Sequence, residues 1–391
     1  MLRRKSLFGW LRTPPKPPKL NMNSAVYALG AIVSLGVGFL LSYHFPHGLD
    51  HWSTDLKTAY LSERLTTQHP RIALIIVSDR TLEEYPYVSP VDRQLLAELV
   101  DRIDQSGAKT IGIDFIFDRP TEPTKDRTLI QSIQRAKVPI VLGALDVRTS
   151  LSDRDRAFQA NFLAQTKRPV GHLHFDQNHD ALVISDHVVR YIAKPSPDQP
   201  TQRSFAEILA VTAGHVDPPS SRYISWLLPP KNRSETFLTL SAEQVLGRSN
   251  PPIELRLADL FRNRIVLIGG NFADRDRHLT PLSVISEERF SGVFIHAQIL
   301  AQLLDSRYTR SLSFPIELMV LVIAACIGIW LGRRNRSGHY HLWVESTGVV
   351  GLIAISAVAF VFISLVFPIT PTLLFLLAGT AFGYHSKRLL K

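Results

Sequence analysis

The stretch RIALIIVSDRTLEEYPYVSPVDRQLLAELVDRIDQSGAKTIGIDFIF, residues 71–117, places an amphipathic segment between two apolar runs. RIALIIVS (71–78) and KTIGIDFIF (109–117) are nearly continuous in apolar residues, which is typical of strands buried on both faces. RQLLAELVDRIDQSG (93–107) has apolar residues at helical spacing and ends on glycine. Because a helix is the usual connection between parallel strands, this stretch predicts an α/β domain.

The sheet continues outward from this unit. DRTLIQSIQRAK (126–137) predicts the next helix, VPIVLGAL (138–145) the third strand and RIVLIGG (264–270) a last core strand. GHLHF (171–175) and HVVRYIAK (187–194) alternate between apolar and polar residues, which indicates antiparallel strands. We therefore expect a mainly parallel central sheet plus antiparallel strands. Amphipathic or apolar periodicity also predicts helices at 47–70 and 292–308.

Four apolar runs outside this domain predict membrane-spanning helices. The run at 22–45 has no charged residue, and about 20 such residues cross a bilayer core. The other runs are 314–332, 347–367 and 369–385, and the last two are separated by a very short proline-flanked connection. A cleavable signal peptide is the alternative for the first run. That run is long for a signal peptide and lacks a cleavage site of small residues, so we expect an anchor and about four spans.

The net charge of +10 comes from the segments next to these runs. Basic residues concentrate in a proline-rich tail (1–21), a loop (333–346) and a C-terminal tail (386–391), whereas the domain at 46–313 is balanced. The positive-inside rule assigns such basic segments to the cytoplasm. We therefore expect cytoplasmic termini and an extracytoplasmic main domain in a bacterial inner membrane. The basic tail could alternatively bind nucleic acid. Membrane topology explains the position of the basic residues better, so we expect lipid and no nucleic acid as a partner.

Polar residues follow several predicted strands at the point where each ends. Ligands of open α/β sheets bind beyond the carboxyl ends of the strands, so these residues predict a polar cleft for a cation or a small polar ligand. The candidate ligand-binding residues are Asp79, Asp114, Asp118, Gly269, Gly270, Asn271, Asp276 and His296. The alternative is that the aspartates cap helices and fix turns, as in DRTLEE (79–84) and DRPTEP (118–123).

Histidines supply a second candidate site. His172 and His174 would point to one face of a strand, a spacing that metal sites use, with Asp176 and His179 nearby. The alternative is an exposed histidine-rich hairpin, which the lack of a cysteine or calcium-loop pattern favours. We expect no bound metal and no cofactor. The single cysteine, Cys326, excludes an intrachain disulfide.

Catalytic motifs such as HExxH and GxSxG are absent from the sequence, and no general base or nucleophile is identifiable beside the strand-end aspartates. We therefore do not expect an enzyme. Small residues lie four apart in the first run (Gly30, Ser34 and Gly38) and in the last (Gly379 and Gly383). Such faces let helices approach closely, so we expect bundle packing or a homodimer through the membrane helices.

Seven segments in this order resemble the CHASE type-two family, an extracellular sensory domain attached to bacterial adenylate cyclases, histidine kinases and related signalling proteins. The resemblance covers most of 46–390. The segments are IALIIVSDRTLEEYPY (72–87), DRQLLAELVDRIDQSGAKTIGIDFIFDRP (92–120), GHLHFD (171–176), DHVVRYIAK (186–194), SFAEILA (204–210), FRNRIVLIGGNFADRDRHLTP (261–281) and SGVFIHAQILAQLLDSRYTR (291–310).

The chain departs from the family pattern at two places. Tyr85, Pro86 and Tyr87 stand where the family usually has a tryptophan-proline-tryptophan turn. Family members also commonly continue into a catalytic domain, whereas this sequence ends at Lys391. The resemblance implies an α/β sensory domain flanked by transmembrane helices, signalling to a separate protein. The alternative is a structural or assembly subunit of a bacterial envelope complex.

Overall fold

The computed structural model describes residues 29–30, 32–33, 36, 48–176, 186–199, 201–215, 223–232, 234–249, 255–334 and 338–389 of the chain. The chain divides into two compact units. The larger contains Pro46–Leu312 and Ile353–Phe367, and the second contains the remainder. Each unit is described by itself.

The larger unit contains a parallel sheet with helices on both faces. Its helices are α1 (Gly48–Leu61), α2 (Asp79–Leu82), α3 (Arg93–Asp104), α4 (Pro123–Arg135), α5 (Asp153–Thr166), α6 (Phe205–Thr212), α7 (Ala242–Leu246), α8 (Leu257–Phe261), α9 (Ser283–Ser286) and α10 (Gly292–Leu304). The strands of its main sheet are β1 (Ile72–Ser78), β2 (Thr110–Asp114), β3 (Ile140–Ala144), β4 (Val170–His172), β5 (Leu238–Ser241) and β6 (Ile265–Asn271).

The six strands are all parallel and lie in the order β4-β3-β2-β6-β1-β5. The last strand in the chain, β6, therefore lies in the middle of the sheet, between β1 and β2. Asp114 at the end of β2 is opposite Gly269 of β6. This position of β6 brings segments far apart in the sequence to the same edge of the sheet.

Two layers of helices bury the two faces of the sheet. Helices α3, α4, α5, α7 and α8 contribute to one apolar core, and α6 and α10 contribute to the other. The second layer lies very close to the strands: a Cβ on Gly171 would lie 2.5 Å from the Cα of Phe205 at the start of α6. Only a glycine leaves room for this approach.

Of the antiparallel strands predicted at 171–175 and 187–194, the first pairs in parallel and the second is not a strand. Strand β4 joins β3 in parallel, because α5 provides a helical crossover that the sequence pattern does not reveal. In 187–194, Tyr191 makes isolated antiparallel bridges with Asp176 and Tyr223, and Val188 makes a parallel one with Leu279. Among the described residues, antiparallel strands occur at β7 (Arg277–His278) and β8 (Phe290–Ser291).

Two predicted helices are shorter than expected. The helix predicted at 47–70 ends at Leu61, after which the backbone of Leu65 donates to the Leu228 carbonyl at 3.1 Å. The helix predicted at 292–308 ends at Leu304, and all but one of its thirteen residues are buried. The second helix ends at Leu304, its last residue in the apolar core.

Beyond this domain lie β9 (Arg310–Ser311), α11 (Phe314–Arg334), α12 (Gly338–Ile363), β10 (Leu365–Val366) and α13 (Ile369–Leu389). Among the described residues, two helices are long and apolar enough to cross a membrane, at Phe314–Arg334 and Ser346–Ile363. The expectation of about four spans is therefore supported for two. The run at 22–45 lies largely outside the described residues, and α13, which contains 369–385, does not meet the same test.

The third predicted span also ends earlier than expected. Helix α12 stops at Ile363, Ser364 adopts a positive φ of 51°, and β10 pairs in parallel with β9. Residues 364–367 are therefore a short paired segment and not the end of a helix.

In the second unit, α11 and α13 pack backbone to backbone through glycines. A Cβ on Gly328 would lie 2.2 Å from the Leu376 carbonyl oxygen, and one on Gly379 would lie 2.4 Å from that of Ala325. Contacts this close leave no room for a larger residue, and small residues are the usual solution between membrane helices. Gly379, on one of the predicted small-residue faces, thus packs against another helix of the same chain.

Candidate functional site

A cleft of about 490 Å³ opens at the carboxyl ends of β2 and β6. Clefts of this size are typical of small-molecule sites, and this edge of a parallel sheet is where ligands usually bind. Five of the eight candidate residues line it, together with one of the two candidate histidines: Asp114, Asp118, Gly270, Asp276, His296 and His174. The position of β6 beside β2 brings them together.

Asp114 lies at the buried end of the cleft. It is the last residue of β2 and is 9% exposed. Its Oδ2 atom is buried without a hydrogen-bond partner among the described residues. Burial raises the pKa of Asp114 well above its usual range, and the charge of Asp276 raises it further. An unsatisfied buried polar group costs about 1–3 kcal/mol, so this carboxyl group destabilises the fold.

His296 lies beside Asp114, on α10, and is 2% exposed. Its Nε2 atom is 4.0 Å from Oδ1 of Asp114, and its Nδ1 atom has no partner among the described residues. Its ring centroid is 4.5 Å from that of Phe175 and 5.3 Å from that of Phe205. Burial, followed by two neighbouring histidines, lowers the pKa of His296 to about 3. The imidazole is therefore neutral at physiological pH and can accept one hydrogen bond.

Asp276 supplies a second carboxylate to the cleft and is firmly held. Its Oδ2 accepts from the backbone N–H of Gly292 at 3.1 Å, and its Oδ1 is 2.9 Å from Nε2 of His278. A Cβ on Gly292 would lie 2.6 Å from Oδ2, so the glycine makes this approach possible. Asp276 itself has a positive φ of 53°. The loop after β6 is thus bent so that this carboxylate reaches the start of α10.

The open end of the cleft carries two arginines. The Nε atom of Arg119 is 3.7 Å from a carboxylate oxygen of Asp118, and the Arg119 side chain is 65% exposed. The Arg275 guanidinium lies 5.1 Å from the ring centroid of Phe272, and its side chain is 45% exposed. The lining also includes the apolar side chains of Ile116, Leu145, Leu173 and Phe175. The cleft therefore has a buried carboxyl group at Asp114 and two exposed guanidinium groups, of which Arg119 pairs with Asp118 and Arg275 with Asp79.

Three candidate residues lie outside the cleft lining. Asp79 accepts from the backbone N–H of Ala273 at 2.8 Å, and the Asn271 side chain accepts from Arg277. A Cβ on Gly269 would lie 2.4 Å from Cβ of Val293, so this glycine allows α10 to pack on β6. These contacts lie around the cleft; Asp79 joins the end of β1 to the loop after β6, and the cap of α2 is Ser78 and not Asp79.

The two candidate histidines have different environments. His174 lines the cleft. His172 is fully buried, neither ring nitrogen has a partner among the described residues, and burial lowers its pKa to about 4. Among the residues that the structure describes, no group of three or more His, Cys, Asp or Glu side chains could hold a metal ion. His179 lies outside the described residues.

Sequence reasoning missed Arg119, Arg275, His278 and Phe175, which also line the cleft. The two arginines follow strand ends in the segments DRP and ADRDRH, so charge alternation in these loops was the available signal. The histidine and phenylalanine gave no such signal, because their positions depend on how irregular segments fold back over the sheet.

The chain is similar to a known protein family. The model of the CHASE2 domain matches residues 29–331, which is most of the chain. No curated protein and no solved structure matches the chain. The extent of the family match includes the parallel sheet, the cleft and α10. The chain belongs to the family of CHASE2 sensory domains.

Proposed function

We propose that the protein is a membrane-anchored sensor module without its own catalytic output, which detects a ligand in the cleft and signals through a separate protein. The observation that supports this most directly is the cleft of a sensory-domain fold, in which two buried side chains, Asp114 and His296, have atoms that no described residue contacts by a hydrogen bond. Protein interiors rarely leave polar atoms unsatisfied, and functional sites are the usual exception.

The proposed topology has about four spans, cytoplasmic termini and the sensory domain outside the inner membrane. The basic residues at 1–21, 333–346 and 386–391 support it, because such residues are retained on the cytoplasmic side. The two long apolar helices at Phe314–Arg334 and Ser346–Ile363 supply the second and third spans. Residues 22–45 and α13 would supply the other two.

The signal would leave the cleft through α10. Asp276 accepts from the first residue of this helix, and His296 lies one turn further along it. Helix α10 is followed in the chain by β9 and then by the apolar helix α11. A ligand that binds one position of α10 better than another would shift the population between them, and signalling requires that difference in affinity.

Copurification from native membranes in mild detergent tests this function. We expect the full chain to recover a cyclase, kinase or phosphatase. Recovery of envelope-assembly proteins alone would contradict the sensor proposal and favour the assembly subunit. The Asp114→Asn variant is the informative comparison, because a sensor that lacks its ligand contact should recover its partner in a different amount.

Cysteine labelling tests the topology. Replacing Cys326 by alanine leaves a chain without cysteine. Glu83→Cys, at an exposed position of the sensory domain, should then react with a membrane-impermeant maleimide in intact cells. Ser337→Cys, within the basic loop at 333–346, should react only after permeabilisation. Labelling at Ser337→Cys but not at Glu83→Cys in intact cells would reverse the proposed orientation.

A further inference from the structure

The buried end of the cleft offers hydrogen-bonding groups that the protein does not use. Asp114 and His296 are each more than nine-tenths buried, and both line the cleft. Oδ2 of Asp114 and Nδ1 of His296 have no partner among the described residues. The carboxyl group of Asp114 accepts at both oxygens once it is ionised, and neutral His296 can accept at one ring nitrogen, so a cationic ligand that keeps Asp114 ionised and brings donors would satisfy both groups.

The charges at the buried end of the cleft determine which kind of donor a ligand should bring. The charge of Asp276, whose Oδ1 lies 2.9 Å from Nε2 of His278, also acts on Asp114 and raises its pKa. The imidazole of His296 is neutral and does not compensate these two carboxyl groups. A positively charged donor relieves this repulsion, whereas phosphate or another anion would increase it. A primary ammonium group carries the charge and three donors on one atom.

The open end of the cleft suits an anionic group instead. Arg119 and Arg275 present guanidinium groups there, and both side chains are partly exposed. A guanidinium binds a carboxylate through two parallel hydrogen bonds. Apolar side chains such as Ile116, Leu145 and Leu173 also line the cleft. The cleft thus offers acceptors on buried side chains, an apolar lining and guanidinium donors on exposed side chains.

We propose that the cleft binds a free amino acid, with its ammonium group against Asp114 and His296 and its carboxylate against Arg119 and Arg275. This inference rests on the proposed sensor function and names the ligand class of the same site. A volume of about 490 Å³ is near the lower end of the range for small-molecule sites, which suits one small zwitterion and not a peptide.

Binding to the full chain in detergent tests this proposal. Each of the twenty L-amino acids is titrated while the thermal unfolding midpoint is recorded, and binding is then measured by calorimetry for those that shift it. We expect saturable binding of at least one amino acid. Its decarboxylated amine and its deaminated acid should each bind about tenfold more weakly or worse, because each leaves one end of the cleft unsatisfied.

Variants separate the two ends of the cleft. Asp114→Asn should weaken binding about tenfold or more by removing the charge that pairs with the ammonium group. Arg119 and Arg275 are at exposed positions. Arg119→Gln and Arg275→Gln should each weaken binding of the amino acid but not of its amine. Arg248→Gln is the matched control, because Arg248 is exposed, pairs with Glu98 and does not line the cleft.

Three outcomes would overturn the proposal: no saturable binding of any of the twenty amino acids, equal affinity for the amine and the amino acid, or unchanged affinity in Asp114→Asn. These outcomes are distinguishable from failure of the sensor function. A chain that binds no amino acid but copurifies with a signalling enzyme refutes the ligand class alone, whereas recovery of assembly proteins alone refutes the sensor.

Discussion

Two buried charge clusters of the sensory domain differ in how their polar atoms are satisfied. In the first, which we call the arginine cluster, Arg190 lies between Asp55 of α1 and Asp186. Its Nε and one terminal nitrogen donate to Asp55 at 2.8 and 2.7 Å, and its terminal nitrogens donate to Asp186 at 3.0 and 2.6 Å. In the cleft, by contrast, Asp114 and His296 approach no closer than 4.0 Å.

Ionisation differs between the clusters in the same way. Burial lowers the pKa of Arg190, but its hydrogen bonds to the two carboxylates outweigh burial, so the pKa is raised overall. Burial raises the pKa of Asp55 against the opposing hydrogen bonds and charge of Arg190. Among the described residues no basic group opposes this effect at Asp114, so its pKa is raised well above the usual range. Arg190 thus fastens an irregular segment to α1, whereas Asp114 keeps an unpaired oxygen in a cleft that is open to a ligand.

The largest expected effect is in the arginine cluster. Arg190→Met should lower the free energy of unfolding by about 3–5 kcal/mol, because it leaves Asp55 buried without its partner. Urea denaturation of the full chain in detergent, followed by tryptophan fluorescence, measures this change, since Trp226 is buried in the same domain. Arg248→Met, which breaks the exposed pair with Glu98, is the control and should cost at most about 1 kcal/mol. Equal effects of the two variants would contradict a structural role for the arginine cluster.

Acid should destabilise the domain through its buried histidines. The pKa of His172 is about 4 in the folded chain and 6.5 when unfolded, so the unfolded chain binds more protons between these values. The stabilising contribution is therefore complete above pH 6.5 and is lost as the pH falls to about 4. This loss is on the order of 3 kcal/mol at about 1.4 kcal/mol for each pH unit.

His172→Leu isolates this contribution, because leucine is uncharged at every pH. The pH dependence of the unfolding midpoint should become shallower between pH 6.5 and 4 by about one proton. His385→Leu, at an exposed position on α13, should leave the slope unchanged. An unchanged slope in His172→Leu would mean that this histidine is accessible to protons in the folded chain.

Replacing an aspartate by asparagine should change the stability of the fold in opposite directions in the two clusters. The pKa of Asp114 is raised, so the folded chain holds its proton more tightly, and stability falls as the pH rises through the interval above 3.8. Asp114→Asn removes this cost and should leave the unfolding midpoint at neutral pH equal or higher. Asp55→Asn should lower the free energy of unfolding by about 1–3 kcal/mol, because an amide NH₂ faces the Arg190 guanidinium. A loss of stability in both variants would remove the distinction between the clusters.

The sequence allowed the buried end of the cleft to be predicted, and the reason is geometric. Parallel strands end at one edge, so Asp114 and Asp276 could be expected near each other once 109–117 and 264–270 were recognised as strands. The arginines at the open end could not be placed, because their positions depend on loop conformations such as the positive φ of Asp276. Alternation at 171–175 was misleading because one short parallel edge strand has the same pattern as an antiparallel one.

The apolar C-terminal helices show which features hydropathy does not reveal. Hydropathy identified α11 and most of α12, but it could not reveal that residues 365–366 pair with 310–311. Backbone pairing leaves no signature in the hydropathy of a two-residue strand. Small residues such as Gly379 were recognisable as a packing face, while their partner on α11 required the structure.

Infrared difference spectroscopy on the full chain reports the protonation state of Asp114. The spectrum of Asp114→Asn is subtracted from that of the unsubstituted chain at about pH 6, where exposed carboxyl groups are ionised. The raised pKa of Asp114 predicts a carbonyl band of a protonated carboxylic acid that Asp114→Asn lacks and that Asp186→Asn, whose carboxylate pairs with Arg190, retains. Absence of this band would show that Asp114 is ionised, which would contradict a buried carboxyl group that no described residue pairs with.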